Sequence, residues 1–280
     1  MIDTVRRGTA ARIRRRIAGS DFETAHARIF HASGPRWFTA SDPIWRVHAD
    51  ASMFVGGIRA LLLQSLHPRA MAAVSQHSGF RGDPWGRLQR TSTFLATTTY
   101  GTIEAAERMI AGVNRIHARI AGQTREGVPY RADEPELLTW VHIAEVDSFL
   151  VAHDHFGTAP LSGADRDRYV AQTATIARRL GVPDPPITEQ GLADYLDSYR
   201  PQIRMTDEAR ETTELLLRDP PLHGAERVGY ASMAAGAIST LPAWARVELQ
   251  LPSLPITERL IARPITRTTL RGLRWAMATV

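Results

Sequence analysis

The feature that most constrains this fold is a repeated helix-start signal, in which a polar residue and a proline precede a segment with helical spacing of apolar residues. It occurs at Asp42-Pro43, Asp83-Pro84 and Glu134-Pro135. Proline suits the first helical position because its φ is preset and its missing N–H is not needed there. His67-Pro68 separates two more helical segments, since the residue before proline disfavours helical geometry. The sequence predicts an all-α fold.

The chain has 280 residues, enough to bury a substantial core in one domain. We expect a basic N-terminal helical extension at residues 1–40, a main helical domain at 41–250, and a basic C-terminal helix at 251–280 that packs on it. The absence of cysteine excludes disulfides, iron–sulfur clusters and thiolate ligation of a metal. Any metal must therefore be bound by His, Asp, Glu or Tyr.

Arginines cluster at residues 6–16 and again at residues 259–274. Such patches attract phosphate, on nucleic acid or on an anionic membrane, or form a solvated surface. No nucleic-acid-binding motif accompanies them, so nucleic acid is not a predicted partner. No apolar signal core follows the first cluster, and the uncharged run 228–245 is too weakly apolar to span a membrane. We therefore expect a cytoplasmic location or peripheral contact with an anionic membrane.

The helix that starts at Pro84 carries a mixed polar and apolar face. Its three- and four-residue spacing aligns Arg87, Arg90, Thr91 and Phe94. Such a face suits a pocket wall, where guanidiniums bind carboxylates and a phenyl ring packs on a flat apolar group. The same spacing also fits an exposed helix with salt-bridged arginines.

His117 lies among apolar residues of the next predicted helix. A neutral imidazole in such surroundings can ligate iron. It can equally be a hydrogen-bonded core residue, and spacing does not choose between the two.

Four short motifs occur in a characteristic order along residues 40–250: Leu61 to Pro68, Arg87 to Thr91, Ile116 to Ala118, and Leu137 to His142. Together they resemble the MpaB-type and rubber-oxygenase (latex clearing protein) catalytic-domain family. The order and spacing of the motifs carry this resemblance more than any one of them.

The resemblance implies a globin-like helical domain that binds haem b and uses dioxygen as co-substrate. Rubber oxygenases cleave double bonds of polyisoprene, and the MpaB member is linked to oxidative cleavage of a prenyl side chain. The implied function is a haem-dependent oxygenase acting on an apolar, isoprenoid small molecule. The motif match makes His117 the proximal iron ligand and places Arg87, Arg90 and Thr91 at the catalytic distal side, with Arg90 at the family's lysine position.

Two departures from the family pattern bear on the chemistry. Arg90 cannot replace the lysine as an iron ligand, because a guanidinium stays protonated and offers no suitable lone pair. No acid lies between Asp50 and Asp83, where the glutamate base of rubber oxygenases is sought. We expect His67, His142 and Phe94 to line the cofactor pocket, and His77 remains another candidate histidine.

Two alternatives remain. Glu23 and His26 share a helix face, as do His142 and Glu145, but a di-iron carboxylate bundle needs two forward Glu-x-x-His motifs and this chain has one. A polar surface pair explains Glu23 and His26 better. The other alternative is a helical protein that binds haem or lipid without catalysis.

Overall fold

The computed structural model describes residue 19, residues 22–79 and residues 82–278. Residues 1–18, 20 and 21, which make up half of the predicted N-terminal extension, lie outside the described residues. The described helices and strands follow in this order: α1 (Phe22–Phe30), α2 (Pro43–Ala49), α3 (Met53–Ser65), α4 (Pro68–His77), α5 (Pro84–Tyr100), α6 (Ile103–His117), β1 (Ala121–Gln123), β2 (Pro129–Arg131), α7 (Pro135–Phe156), α8 (Gly163–Leu180), α9 (Glu189–Ser198), a 3₁₀ turn (Arg200–Gln202), α10 (Asp207–Leu217), α11 (Gly224–Ile238), α12 (Ala243–Glu248), α13 (Pro255–Thr257), a π-helical turn (Glu258–Ala262) and α14 (Arg263–Met277).

The proline signals mark real helix starts, and the all-α prediction is confirmed. Helices α2, α4, α5 and α7 each begin at the expected proline. Asp83 caps α5 by accepting a hydrogen bond from the backbone N–H of Gly86 at 2.8 Å. None of the helices in the described ranges is long and apolar enough to cross a membrane.

A small antiparallel hairpin follows α6, where the sequence suggests only a loop. The apolar spacing that continues to Ile120, followed by Gly122, predicts that α6 ends at this glycine, but Gly122 pairs with Tyr130 in the hairpin and α6 already ends at His117. A Cβ on Gly122 would lie 2.5 Å from the Tyr130 hydroxyl. Position 122 therefore needs glycine so that the tyrosine can pack against it. Because glycine also commonly ends helices, the residue looks like a helix terminator in the sequence.

Helices α3 and α7 form the centre of the core. At their crossing, a Cβ on Gly56 would meet the Phe149 ring at 2.7 Å, so the missing side chain lets the two helices approach. Trp140 of α7 is fully buried and donates its indole N–H to the carbonyl of Gln64 at 3.2 Å. These contacts fix the position of α7.

Candidate functional site

Arg87 and His117 lie on two contacting helices that are joined by Gly101 and Thr102 alone. Arg87 lies 13 residues before the end of α5, and His117 lies 14 residues after the start of α6. Because each residue rises about 1.5 Å along a helix, both lie about 20 Å from the turn that joins the helices.

The predicted face on α5 divides into a half-buried and an exposed part. Arg87 is half-buried and donates to the Ser78 hydroxyl at the end of α4, at 2.9 Å. Burial, and then the charge of Arg90, lowers the pKa of Arg87 to about 10. Arg90 is exposed and pairs with Asp83 at 3.4 Å, while Thr91 is exposed and Phe94 packs partly buried against the core.

His117 is half-buried at the last residue of α6, and its Nδ1 is buried without a hydrogen-bond partner in the described ranges. Burial lowers the pKa of its imidazole, and the nearby charge of Asp133 only partly offsets this effect. The ring is therefore neutral near pH 7, which is the state that ligates a metal. The structure places Asp133 just before α7, so His117 also lies near the start of that helix.

A stripe along α7 continues the site: Leu138, His142, Glu145 and Phe149 follow helical spacing on one face. Leu138 contacts the position of Gly181 at the end of α8, and Phe149 packs edge-on against the ring of His48. Both ends of the stripe are thus closed by packing, and the two polar residues lie between them.

The end of α8 also binds α6. Asn114, one turn before His117, donates its side-chain amide to the carbonyl of Arg179 at 2.9 Å. Because Leu138 meets the adjacent Gly181, the end of α8 brings the His117 end of α6 close to the His142 end of α7. The predicted residues His117 and His142 therefore belong to one region of the molecule.

His142 and Glu145 are half-buried and keep accessible surface between these packed ends. No described residue hydrogen-bonds the buried Nε2 of His142, and burial lowers the pKa of this ring to about 4. Glu145 makes no hydrogen bond or ion pair to any described residue, and burial raises the pKa of its carboxyl to about 7. His142 is therefore a neutral base and Glu145 a weak acid, and both keep accessible surface on this face of α7.

His48 connects the helices around Glu145, a role that the sequence does not reveal. Its Nδ1 lies 2.8 Å from the Thr99 hydroxyl on α5, and its Nε2 lies 3.3 Å from the Tyr169 hydroxyl on α8. Burial lowers the pKa of His48 to about 3, so the ring stays neutral. Burial, and then the charges of Glu145 and Asp147, raises the pKa of Tyr169 well above its ordinary value.

His67 and His77 have structural partners in the described part of the chain. The Nδ1 of His67 caps α4 by accepting from the backbone N–H of Ala70 at 3.4 Å, which leaves the proton on Nε2. His77 lies 3.2 Å from the Tyr130 hydroxyl. The pocket role of His67 stays a prediction. While Nδ1 caps α4, Nε2 carries the ring proton and therefore has no free lone pair for a metal.

The di-iron alternative has no support within the described ranges. There, no group of three or more His, Cys, Asp or Glu side chains is placed to hold a metal ion. Glu23 is exposed, and His26 stacks on Phe30 at 4.5 Å between ring centroids. The pair lies at the surface of α1, as expected for a polar surface pair.

Glu145→Gln is expected to change how stability depends on pH in the protein without cofactor. Glu145 has an ordinary pKa of 4.5, and burial raises it to about 7 in the folded state. Between these values the folded protein keeps a proton that the unfolded chain releases, so stability falls as pH rises, by about 1.4 kcal/mol per unit. Glutamine has no proton to release, so it abolishes this pH dependence. The unfolding free energy of the variant relative to that of the wild type should therefore rise by about 2 to 3 kcal/mol between about pH 5 and pH 8.

Denaturant unfolding of both proteins across this pH range measures the difference. The nearest titratable neighbours are His142 on the same helix, His48 on α2 and Tyr169 on α8. His48 and His142 destabilise the fold as pH falls below 6.5, the reverse of Glu145, and they do so in both proteins. Parallel stability curves for the two proteins would show that Glu145 ionises as an ordinary surface acid.

A model of the catalytic domain of the ER-bound oxygenases mpaB and B′ and of rubber oxygenase matches residues 45–279, which includes every residue of this site and the C-terminal helix. No curated protein and no solved structure matches the chain. The matched region covers most of the sequence and agrees with the motif resemblance seen at residues 61–142. The chain belongs to the MpaB and rubber-oxygenase catalytic-domain family, which is a family of oxygenases.

Proposed function

We propose that this protein is a haem b-dependent oxygenase that acts on an apolar small molecule of the isoprenoid class. The observation that carries the proposal is His117, whose buried Nδ1 has no hydrogen-bond partner among the described residues and whose ring is neutral. It lies about as far from the turn between α5 and α6 as the half-buried guanidinium of Arg87, in a chain of an oxygenase family. A neutral imidazole on one helix and a guanidinium on the adjoining helix match what a haem with anionic propionates requires.

The residues present fit such a group. His117 would hold the iron, since one buried imidazole suffices for haem whereas a protein-only metal site needs several ligands. Arg87 would bind a propionate, because the charge of an anion would offset the cost of burying the guanidinium and its repulsion by Arg90. The half-buried ring of Phe94 would contact the flat apolar face. When bound, haem supplies the activation of dioxygen, which protein side chains lack.

The other side chains of the site would act on the substrate. Glu145 would hold a proton on its carboxyl near neutral pH and could release it to, or accept one from, a substrate oxygen. The unpartnered Nε2 of His142 would accept a hydrogen bond. Leu138 and Phe149 close the stripe with apolar groups, which would exclude water and favour an apolar substrate.

Arg90 supports a difference from the lysine-containing relatives. Its exposed guanidinium pairs with Asp83 at the surface and has no lone pair for iron. We therefore propose that no side chain from the lysine position closes the distal side in this protein.

Haem analysis and oxygen uptake test the proposal in two steps. The purified chain, reconstituted with haem b, should show a Soret band and should then consume oxygen with squalene or geranylgeraniol. Absence of the band after reconstitution would rule out the cofactor. A stable band without oxygen uptake on any isoprenoid would favour the non-catalytic binding protein over the oxygenase.

A further inference from the structure

The C-terminal helical segment exposes an apolar face that is lined by arginine. α13, the π-helical turn and α14 follow one another without a break from Pro255 to Met277. The buried Thr266 and Leu270 attach the segment to the core, and Thr266 donates its hydroxyl to the carbonyl of Ser232 on α11 at 2.7 Å. The opposite side is exposed and carries the large apolar side chains of Ile256, Leu260, Ile261, Ile265 and Trp275.

The charged residues of this segment are almost all of one sign. It contains five arginines and one acid, Glu258, which is paired with Arg246 at 2.6 Å. Arg274 is paired with Asp50 at 2.7 Å, whereas the other four arginines, Arg259, Arg263, Arg267 and Arg271, form no ion pair with any acid in the described ranges. Arg263 and Arg267 donate to the backbone carbonyls of Ser239 and His155, so Arg259 and Arg271 are the two that no core group holds in the described structure. An amphipathic helix with arginines beside exposed leucine, isoleucine and tryptophan has the composition of helices that lie in a membrane interface.

A shallow depression adjoins the segment and contains one arginine without an acidic partner among the described residues. It measures about 310 Å³ and is lined by His155, Arg263, the hydroxyls of Ser239 and Thr240, and the ion pair of Arg246 with Glu258. Burial, and next the charges of Arg263 and Arg267, lowers the pKa of His155. Arginines and hydroxyls around a surface depression suit the phosphate of a lipid headgroup.

We propose that this C-terminal face, formed by the five apolar side chains and bordered by the exposed Arg259 and Arg271, binds the surface of an anionic lipid bilayer. A second copy of the chain fits worse, because a two-fold contact through this face would oppose arginine to arginine. Nucleic acid offers no apolar partner for the exposed isoleucines and leucine.

The face also suits an enzyme whose substrate dissolves in lipid, but it does not depend on that function. The attraction comes from arginine and exposed apolar area alone, so the protein without haem should bind vesicles as well as the loaded protein. Vesicle binding and oxygen uptake can therefore fail independently of each other.

Co-sedimentation of the full chain with vesicles tests this inference. Vesicles with about 30% phosphatidylserine should bind the protein at least about tenfold more tightly than phosphatidylcholine alone. The variant Arg259→Gln/Arg271→Gln should weaken binding by about thirtyfold at low salt, since each arginine near the surface contributes about a factor of five. Its binding should also depend less on salt.

A matched pair of isoleucines tests the apolar part. Ile265 on the face is 51% exposed and Ile187, in the loop before α9, is 52% exposed. A glutamate at either site would therefore keep its charge in solvent. Ile265→Glu should weaken vesicle binding by about tenfold or more, and Ile187→Glu should not. The proposal is overturned if the two substitutions weaken binding equally, or if the wild type does not bind vesicles. It is also overturned if the wild type is a dimer that Ile265→Glu converts to a monomer.

Discussion

Replacing His117 by alanine is expected to abolish stable haem binding, with a loss of affinity of at least about a hundredfold. The substitution removes the only ring that we assign to the iron, while Arg87 and Phe94 would still contact the rest of the group. Because His117 is half-buried at the end of α6 and its Nδ1 makes no hydrogen bond within the described part of the chain, its removal should cost the fold little. Titration of the apo-protein with haem, followed at the Soret band, measures the change.

His67→Ala is the comparison variant, since His67 is a buried histidine whose Nδ1 instead caps α4, so its ring is no ligand even where it lines the pocket. This variant should keep the band, although it should lose about 2 to 4 kcal/mol of stability because it removes the cap and a ring packed against Trp140 and Tyr199. A His117→Gly protein that regains the band with added imidazole would support ligation directly. If His142→Ala loses the band and His117→Ala keeps it, the ligand is His142 and our assignment is wrong.

The sequence predicts the helices well because their starts are local. Asp83 and Pro84 cap and begin α5 with no help from distant residues. Gly122 misleads because its requirement is tertiary: the packing of Tyr130, eight residues later in the hairpin, demands a residue without a side chain. A sequence alone does not distinguish a glycine that ends a helix from one that admits a neighbour's ring.

The same limit applies to the site, because local patterns predict which residues share a helix face but not how the helices pack. Helical spacing aligns Arg87 with Phe94, but it does not show that Arg90 and Thr91 are exposed, because the position of α5 against the core is set by other helices. Glu145 had one available signal, an acid three residues after His142 in an otherwise apolar helix. Its raised pKa depends on burial by α2 and α8, which no local pattern encodes.

The position of Glu145 and His142 depends on a buried ion pair two residues further along α7. Asp147 accepts a hydrogen bond from Arg59 of α3 at 2.6 Å, and the Arg59 side chain is only 3% exposed. Arg59 also donates to the hydroxyl of Ser148 and to the carbonyl of Thr240. These bonds join α3, α7 and the end of α11, so the pair fixes the helix that carries the site.

Asp147→Ala is therefore expected to cost about 3 to 5 kcal/mol in the free energy of unfolding, because it leaves the charge of Arg59 buried without its counterion. The exposed pair Arg46–Asp165 has nearly the same length, 2.7 Å, and Asp165→Ala should cost less than about 1 kcal/mol. Denaturant unfolding compares the two variants. The double variant Arg59→Met/Asp147→Leu should recover most of the loss, since an apolar pair of similar volume avoids the desolvation of both charges. If Asp147→Ala costs no more than Asp165→Ala, solvent must reach Arg59, and α7 is held by apolar packing such as that of Phe149 on Gly56.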